Sequence, residues 1–320
     1  MGANSLVMAK VGESIVEKEN QQKSIERLAA QKEVYFQAKR LFFWQFLVTT
    51  VMTAVLALLA LVLLYFGRSI DWVRASYGIA VAFADLFLFA GFINFLKQKA
   101  ATIQECFDCD VLELDWNQIL VGDKPLAEDI KKYSDKHLLR VKNFDKLKNW
   151  YAETIKDVDG PAAKLICQRS NFAYDYAIRK SFLRSVIFGT IAVLLLVALC
   201  ALIANVSSRS LVVTLALPIL PILTFSGKLY SDHKGSIGNL ESLRKTLSSV
   251  WSGLLAGNPT NPETFLRQIQ DKIYLNRKNS PLVPERFYEH LRSNLEQEMH
   301  YSVSDLVDEY KHSLDQKMGR

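Results

Sequence analysis

A run of apolar residues from Leu41 to Phe66 contains no charged side chain over twenty-six positions. Wound as an α-helix at ~1.5 Å per residue it is about 39 Å long, whereas the hydrocarbon core of a bilayer is ~30 Å thick. A core helix of a soluble protein with that length would carry a polar stripe on the side that faces water. The pattern therefore predicts a membrane-spanning helix.

Three further runs repeat this pattern, at Ala75–Leu96, Ser185–Ser208 and Ser210–Gly227. The first of them contains a single charged residue, Asp85, and the other two contain none. Short polar connections join the four runs in pairs: Gly67–Arg74 joins the first two, and one arginine joins the last two. The sequence predicts four transmembrane helices arranged as two hairpins.

Lysine and arginine residues are distributed unevenly around these runs. About twelve lie within ~15–17 residues of the run ends in the N-terminal, middle and C-terminal segments. The hairpin connections hold only Arg68, Arg74 and Arg209. Because positive residues collect on the cytoplasmic side of a membrane, we expect both termini and the middle segment in the cytoplasm.

The polar segments together comprise about 220 residues, enough for one compact cytosolic domain built from discontinuous pieces. The fold class predicted is a mainly α integral membrane protein with a mostly helical cytosolic domain. Cys109–Trp116 is an apolar-rich run that favours a short β element, and Gly160-Pro161 predicts the start of a helix that continues into the third run. The predicted parts are a cytosolic helix at 1–40, a transmembrane hairpin at 41–96, a cytosolic segment at 97–184, a second hairpin at 185–227 and a helical cytosolic segment at 228–320.

The chain has 320 residues, 50% of them hydrophobic, and a net charge of +6. Lysine and arginine at the cytoplasmic helix ends account for this charge, so no nucleic-acid partner is predicted. Cys106 and Cys109 form a single CxxC pair, whereas a structural zinc site needs two such pairs, so neither a metal nor another cofactor is expected. The P-loop, HExxH and GxSxG motifs are absent, which disfavours an enzyme.

Asp85 is the most informative residue within the hydrophobic runs. A carboxylate near the middle of a transmembrane helix is costly against lipid, so it should face other helices or water. One interpretation is a pore-lining group, which an oligomer would repeat as a ring that prefers cations. The alternative is a protonated carboxyl hydrogen-bonded to the neighbouring helix, at Thr49, Thr50 or Thr53.

Pro218 and Pro221 interrupt the fourth run. Each removes a backbone donor, so this helix should kink or partly unwind. A hinge for gating and a static kink are both consistent with this pattern.

A set of aromatic and polar residues in the cytosolic segments has the chemistry to hold a nucleotide-like anion. Aromatic rings stack on other groups, and guanidinium groups bind phosphates. Packing between segments and charge near the membrane surface are the alternative explanation for the same residues. The candidates are Trp150, Tyr151, Arg169, Asn171, Arg179, Arg286 and Tyr288.

Four stretches occur in a definite order around the two hairpins: SIERLAAQKEVYFQAK at 24–39, FDCDVLELDWN at 107–117, CQRSNFAYDYAIR at 167–179 and QDKIYLNRKNSPLVPERFYEHLR at 270–292. In content and order they resemble the SMODS-associating four-transmembrane effectors of bacteria, over most of the chain. The fold's own hydrogen-bond network would equally explain the polar positions matched. These are Asp108, Asp115, Trp116, Asn117, Arg169, Asn171, Asp175 and Arg286.

The resemblance implies a pore-forming effector of CBASS-type antiphage defence in the bacterial inner membrane. A cGAS/DncV-like nucleotidyltransferase would make a cyclic nucleotide on infection. The effector would bind it in the cytosolic domain, form a homo-oligomer or open, and permeabilise the lipid bilayer, so that the infected cell stops growing or dies (abortive infection). A non-conducting membrane sensor or scaffold that recruits partners through its cytosolic domain is the alternative.

Overall fold

The computed structural model describes residues 11–203, 217–257 and 261–318. Regular secondary structure in these ranges is entirely helical, as the predicted fold class requires. The helices are α1 (Val11–Glu19), α2 (Gln22–Phe46), α3 (Thr53–Tyr65), α4 (Asp71–Ala84), α5 (Ala90–Val111), α6 (Gln118–Val121), α7 (Ala127–Val141), α8 (Gly160–Ile203), α9 (Leu217–Leu255), α10 (Pro262–Asn279) and α11 (Glu285–Met318).

The short β element predicted at Cys109–Trp116 is wrong. Helix α5 continues to Val111 and then closes in a turn, in which Glu113 has a φ of 51° and the Leu114 N–H donates to the Cys109 carbonyl oxygen at 2.9 Å. This is the bond pattern of a helix C-terminus capped by a left-handed residue. The apolar side chains of the run are buried in the core beside this turn.

The first two hydrophobic runs form long helices that each change their winding halfway. The first contains a π-helical segment at Leu47–Met52, and the second contains one at Asp85–Phe89. Among the residues that the structure describes, the helices Gln22–Ala60 and Asp71–Val111 are long and apolar enough to cross a membrane. Only 11% and 6% of their most apolar windows are buried, so these side chains do not form a protein core.

Helices α8 and α9 contain the described parts of the third and fourth hydrophobic runs. The helix predicted to begin at Gly160 is confirmed, and α8 is continuous over 44 residues to Ile203. Helix α9 contains 39 residues and packs against α8. Residues 204–216, which include Arg209 and parts of both runs, lie outside the described ranges.

Outside the hydrophobic runs, the described parts of 11–40, 97–184 and 228–318 form what we call the polar domain. Its main core combines buried side chains from all three segments, among them Leu28, Phe107 and Ile273. Because burial of apolar surface is the main favourable term in folding, each segment depends on the other two for its stability.

Helix α1 lies against the turn at 153–157 so closely that one position admits only glycine. The Gly12 N–H donates to the Val158 carbonyl oxygen at 3.0 Å. A Cβ at Gly12 would lie 1.8 Å from the Ile155 carbonyl oxygen. Because that oxygen belongs to the backbone and cannot rotate away, a larger residue must displace α1.

Gly12→Ala should therefore lower the melting temperature of the purified protein, by the equivalent of about 1–3 kcal/mol, the usual cost of overpacking. Gly238→Ala is the matched control, because its new Cβ has no atom within 4 Å. Alanine there should be neutral or stabilising by up to ~1 kcal/mol. Equal melting temperatures for Gly12→Ala and the wild type would contradict the close contact.

Glu19, at the end of α1, is a buried carboxyl with little support for a negative charge. The Tyr151 N–H donates to its Oε2 at 2.8 Å, and its Oε1 has no hydrogen-bond partner among the described residues. Burial raises the pKa of Glu19 to about 8. The side chain is therefore mostly protonated at neutral pH.

A carboxyl whose folded-state pKa exceeds its unfolded value stabilises the fold below the unfolded pKa, and this stability is lost as the pH rises through the folded pKa. The Glu19 contribution to the stability of the wild type should accordingly be lost between about pH 5 and pH 8. Glu19→Gln keeps an acceptor for Tyr151 but cannot ionise, so the melting temperature of the wild type should fall relative to that of the variant between about pH 5 and pH 8. Parallel melting curves for the two proteins across this range would exclude Glu19 as the cause.

Candidate functional site

A cavity of ≈760 Å³ lies where the hydrophobic helices enter the polar domain. Its walls come from α2 and the π-helical segment after it, from α5 and α9, and from the connection between α10 and α11. One end lies among the hydrophobic runs at Asp85, and the other reaches Ser280 in the polar domain. The same cavity therefore touches both parts of the molecule.

Polar side chains line the end of the cavity that lies among the hydrophobic runs. Gln45 Nε2 donates to Asp85 Oδ1 at 2.6 Å, and Thr49 and Thr50 belong to the same lining. Asp85 thus lies on the cavity and is held by a neighbouring helix, the placement expected for a carboxylate in a hydrophobic helix.

Both π-helical segments contribute residues to this end of the cavity. Within the first segment, the Val48 carbonyl oxygen accepts a hydrogen bond from the Tyr77 hydroxyl at 2.6 Å. Single turns of π-helix occur frequently at functional sites. Here two of them bring polar side chains into the wall of one cavity.

The observed partner of Asp85 is none of the three threonines considered from the sequence. Thr49 Oγ1 donates to the Gln45 carbonyl oxygen, and Thr53 Oγ1 donates to the Thr49 carbonyl oxygen, each at 2.8 Å. These hydroxyls are therefore satisfied within their own helix. Gln45 escaped prediction, although Gln45, Thr49 and Thr53 recur every four residues and mark one polar helix face.

Pro221 lies inside α9 and lines the cavity. Thr224 Oγ1 donates to the carbonyl oxygens of Leu220 and Pro221, at 3.0 Å in each case. Helix α9 stays helical through this position, so it is not unwound there. Pro218 lies in the first described turn of α9 with its side chain outside the described part, and the gating role of both prolines stays a prediction.

The connection between α10 and α11, which we call the 279–285 linker, lies at the polar end of the cavity. Helices α2, α5, α8 and α9 each make one polar contact with the linker. A movement of the linker therefore acts on all four helices. The contacts are Lys39 Nζ to Glu285 Oε2 (2.5 Å), Lys97 Nζ to the Asn279 carbonyl oxygen (3.2 Å), Arg179 Nη1 to the Pro281 carbonyl oxygen (2.7 Å) and Ser236 Oγ with Ser280 Oγ (2.6 Å).

A buried network of charges joins α5 to α10 within the polar domain. Glu105 and Asp108 are both fully buried. Arg267 Nη2 donates to Glu105 Oε1 at 2.6 Å, and Arg277 Nη1 donates to Asp108 Oδ2. Gln270 Nε2 donates to both carboxylates at 2.8 Å. Removing one member leaves an uncompensated buried charge, at a cost of about 3–5 kcal/mol.

Arg277→Met should lower the free energy of unfolding by about 3–5 kcal/mol, because Asp108 is left without its charged partner. Adding Asp108→Asn should recover part of this loss, since the buried charge is then removed as well. Arg286→Met is the control, because Arg286 is exposed. Denaturant unfolding in detergent measures all three, and strictly additive effects at positions 108 and 277 would contradict the coupling.

The candidates for ligand binding do not converge on one site. The Tyr151 hydroxyl donates to Asp108 Oδ1 at 3.2 Å, and Asn171 Nδ2 donates to the Tyr151 hydroxyl at 3.1 Å. Both residues therefore belong to the buried network. Arg179 holds the 279–285 linker and also donates to Asp175 Oδ2 at 2.9 Å.

The remaining candidates are spread over the polar domain. Trp150 packs edge-on against Phe107, with ring centroids 6.3 Å apart. Tyr288 packs against Tyr174, with ring centroids 5.8 Å apart. Arg286 is exposed. None of these three residues lines the cavity of ≈760 Å³.

The fold's own hydrogen bonds account for several other motif positions that the resemblance matched. Asp175 and Asn117 bond to side chains of α10, and Trp116 and Asp115 take part in bonds that involve backbone carbonyls. The bonds are Asn276 Nδ2 to Asp175 Oδ2 (2.8 Å), Asn117 Nδ2 to Asp271 Oδ2 (3.0 Å), Trp116 Nε1 to the Gly122 carbonyl oxygen (2.8 Å) and Arg267 Nη1 to the Asp115 carbonyl oxygen (2.7 Å).

Arg169 lies apart from the other candidates, at a second cavity of ≈190 Å³ between α8, α9 and α11. Arg244 of α9 lines the same cavity, together with Trp251 and the hydroxyl-bearing Ser248 and Ser252. Burial and the nearby charge of Arg244 lower the pKa of Arg169. Two cations thus share one small cavity.

Cys106, Cys109 and Cys167 are buried free thiols. Burial raises the pKa of each of them. A thiol acts as a nucleophile or metal ligand in its ionised form, so these three have the character of packed core residues.

The fold combines long apolar helices with a polar domain built from discontinuous segments, and a cavity lies between the two. These features are those of a helical membrane protein. Residues 13–306 match the SMODS-associating 4TM effector domain, and the chain belongs to that family. A relative from Bacillus cereus (strain VD146), named "Probable CBASS effector molecule", is 28% identical over 293 residues, which cover 86% of this chain and 92% of the relative. No solved structure matches the chain.

Proposed function

We propose that this protein is a cyclic-nucleotide-responsive, pore-forming effector of CBASS antiphage defence. Its membership of the SMODS-associating 4TM effector family supports the effector class, and the relative from Bacillus cereus carries the name of a CBASS effector. In such a system a cGAS/DncV-like nucleotidyltransferase supplies the second messenger. The effector itself then needs no catalytic residue, because its action is to open the inner membrane.

The proposed topology has four transmembrane helices in two hairpins, with both termini and the polar domain in the cytoplasm. The two apolar helices of the first hairpin support the first half of this topology. The hydrophobic part of α8 and the start of α9 support the second half. The distribution of lysine and arginine supports the orientation.

The observation that carries the pore proposal is the cavity that reaches Asp85. Gln45, Thr49, Thr50 and Asp85 give it a polar surface between helices that are otherwise apolar. Polar and charged groups inside hydrophobic helices mark ion or substrate pathways. A carboxylate at this position favours cations.

A homo-oligomer is part of the proposal, since the helices of one subunit hardly enclose an open aqueous channel. Closed symmetric assembly would place one Asp85 from each subunit around a shared axis. A ring of carboxylates of this kind is a known way to select cations.

The 279–285 linker supplies a mechanical connection between ligand binding and the pore. It is held at once by α2, α5, α8 and α9. A ligand that binds one arrangement of the polar domain more tightly than another shifts the equilibrium between the two. Through the linker, that shift would move all four long helices.

Reconstitution into dye-filled vesicles tests the proposal. Addition of the matching cyclic nucleotide, found by screening a panel of cyclic di- and trinucleotides, should release dye, and vesicles without protein should stay intact.

Asp85→Asn should reduce the preference for cations over anions, read as a shift in reversal potential, because it removes the charge from the cavity wall. Asp71→Asn, at a side chain 80% exposed near the end of the hairpin, is the control and should leave selectivity unchanged.

The alternative function, a non-conducting membrane sensor or scaffold, predicts a different result in cells. Cells that stop growing on ligand addition while their membranes remain polarised would exclude the pore and favour recruitment of partners. Depolarisation that precedes growth arrest is the outcome expected for the pore.

A further inference from the structure

The cavity between α8, α9 and α11 has a composition suited to one anionic group. Its floor and walls are apolar, formed by Leu165, Ile166, Phe172, Leu247 and Leu306. Two arginines and two serines supply its polar groups. With a volume of ≈190 Å³ it is large enough for a phosphate group and too small for a whole cyclic dinucleotide.

Arg169 differs from the polar residues around it in α8. Gln168 Nε2 donates to the Leu266 carbonyl oxygen at 2.8 Å, Asn171 donates to Tyr151, and Arg179 donates to Asp175 and Pro281. Those side chains are committed to the fold. Among the described residues, Arg169 has no hydrogen bond and no ion pair within 4 Å.

Arg244 is likewise without a hydrogen bond or ion pair in the ranges that the structure describes, and it lies on the adjoining wall. Two like charges beside one apolar cavity repel each other, and a bound anion would remove that repulsion. Glu309 and Asp305 of α11 attract Arg169 from a greater distance. Glu309 already accepts a hydrogen bond from Trp251 Nε1 at 2.9 Å.

We propose that Arg169 and Arg244 bind a phosphodiester group of the activating cyclic oligonucleotide in this cavity. The inference rests on the proposed function and assigns its ligand site. Guanidinium groups form charge-assisted, often bidentate hydrogen bonds with phosphate oxygens. Ser248 adds a hydroxyl donor, whereas Ser252 Oγ donates to the Ser248 carbonyl oxygen at 3.0 Å. The remainder of the cyclic ligand lies over the rim of the cavity.

The position of the cavity favours a soluble ligand over a lipid headgroup. Arg169 precedes the third hydrophobic run, which begins at Ser185, by about 16 residues. At ~1.5 Å per residue along one helix, this is about 24 Å from the start of the run. A headgroup at the membrane surface does not reach that far.

The site would also link binding to the second hairpin. Arg169 lies on α8 and Arg244 on α9, and these two helices continue into the third and fourth hydrophobic runs. A phosphate held by both guanidinium groups ties the two helices together on the side of α11. Ligand binding would therefore fix the relative placement of two helices that enter the membrane.

Binding measurements on the full-length protein in detergent test the site, with a panel of cyclic di- and trinucleotides and with inorganic phosphate as probes. Arg169→Gln and Arg244→Gln should each weaken binding of the recognised cyclic nucleotide by about tenfold or more, because each removes a charge-assisted bond to phosphate. Arg184→Gln and Lys245→Gln, exposed on the same two helices, are the matched controls and should change affinity by less than about twofold. Thermal unfolding of all four variants checks that the fold is intact.

Three outcomes overturn the site. Unchanged affinity in Arg169→Gln and Arg244→Gln would exclude it, and so would inorganic phosphate binding as tightly as every cyclic nucleotide. A wild-type protein that binds no member of the panel would also exclude it. Dye release then separates the two proposals. Ligand-triggered release that persists unchanged in both variants retains the pore and rejects the site. If the wild type binds the ligand tightly but releases no dye, and both variants lose the binding, the site is retained and the pore is rejected.

Discussion

The pairing of Glu105 and Asp108 with Arg267 and Arg277 is the constraint on which the rest of the structure depends. Two fully buried carboxylates persist in a protein core only when opposite charges and hydrogen bonds compensate them. They lie on α5, which is continuous with the second hydrophobic run, and their partners lie on α10 near the 279–285 linker. The network thus fixes the polar domain relative to a helix that is long and apolar enough to cross a membrane.

The cavity of ≈760 Å³ spans the boundary between the two parts, and the 279–285 linker lies at its polar end. Polar residues in π-helical turns form one end of the cavity, and the linker forms the other. Contacts from four long helices meet at the linker, so the polar domain and the hydrophobic helices are not independent modules. Such an arrangement suits a protein whose membrane helices respond to an event in its soluble part.

Much of the helical architecture was predictable from local pattern. Uncharged runs identified the long helices, and Gly160-Pro161 marked the start of α8, because both signals act within a few turns of one helix. The prediction of a short strand was wrong because the signal that decides this segment is not visible in the local pattern. Its apolar-rich residues also fit the last turn of α5, and a left-handed residue at Glu113, which the pattern does not reveal, ends that helix. Gln45 was not predicted as the partner of Asp85. Its spacing from Thr49 and Thr53 nevertheless marks the helix face that meets Asp85.

By itself, the sequence determined that the chain enters a membrane, because an uncharged helix of that length has no other favourable environment. Its four ordered stretches also determined the family. Only the tertiary structure decided which polar residues are committed to the fold, because partners such as Asp108 and Arg277 are 169 positions apart and spacing carries no information about that meeting. Arg169 and Arg179 illustrate the reason: they lie on one helix with the same side chain, and they differ only in what the fold places opposite them.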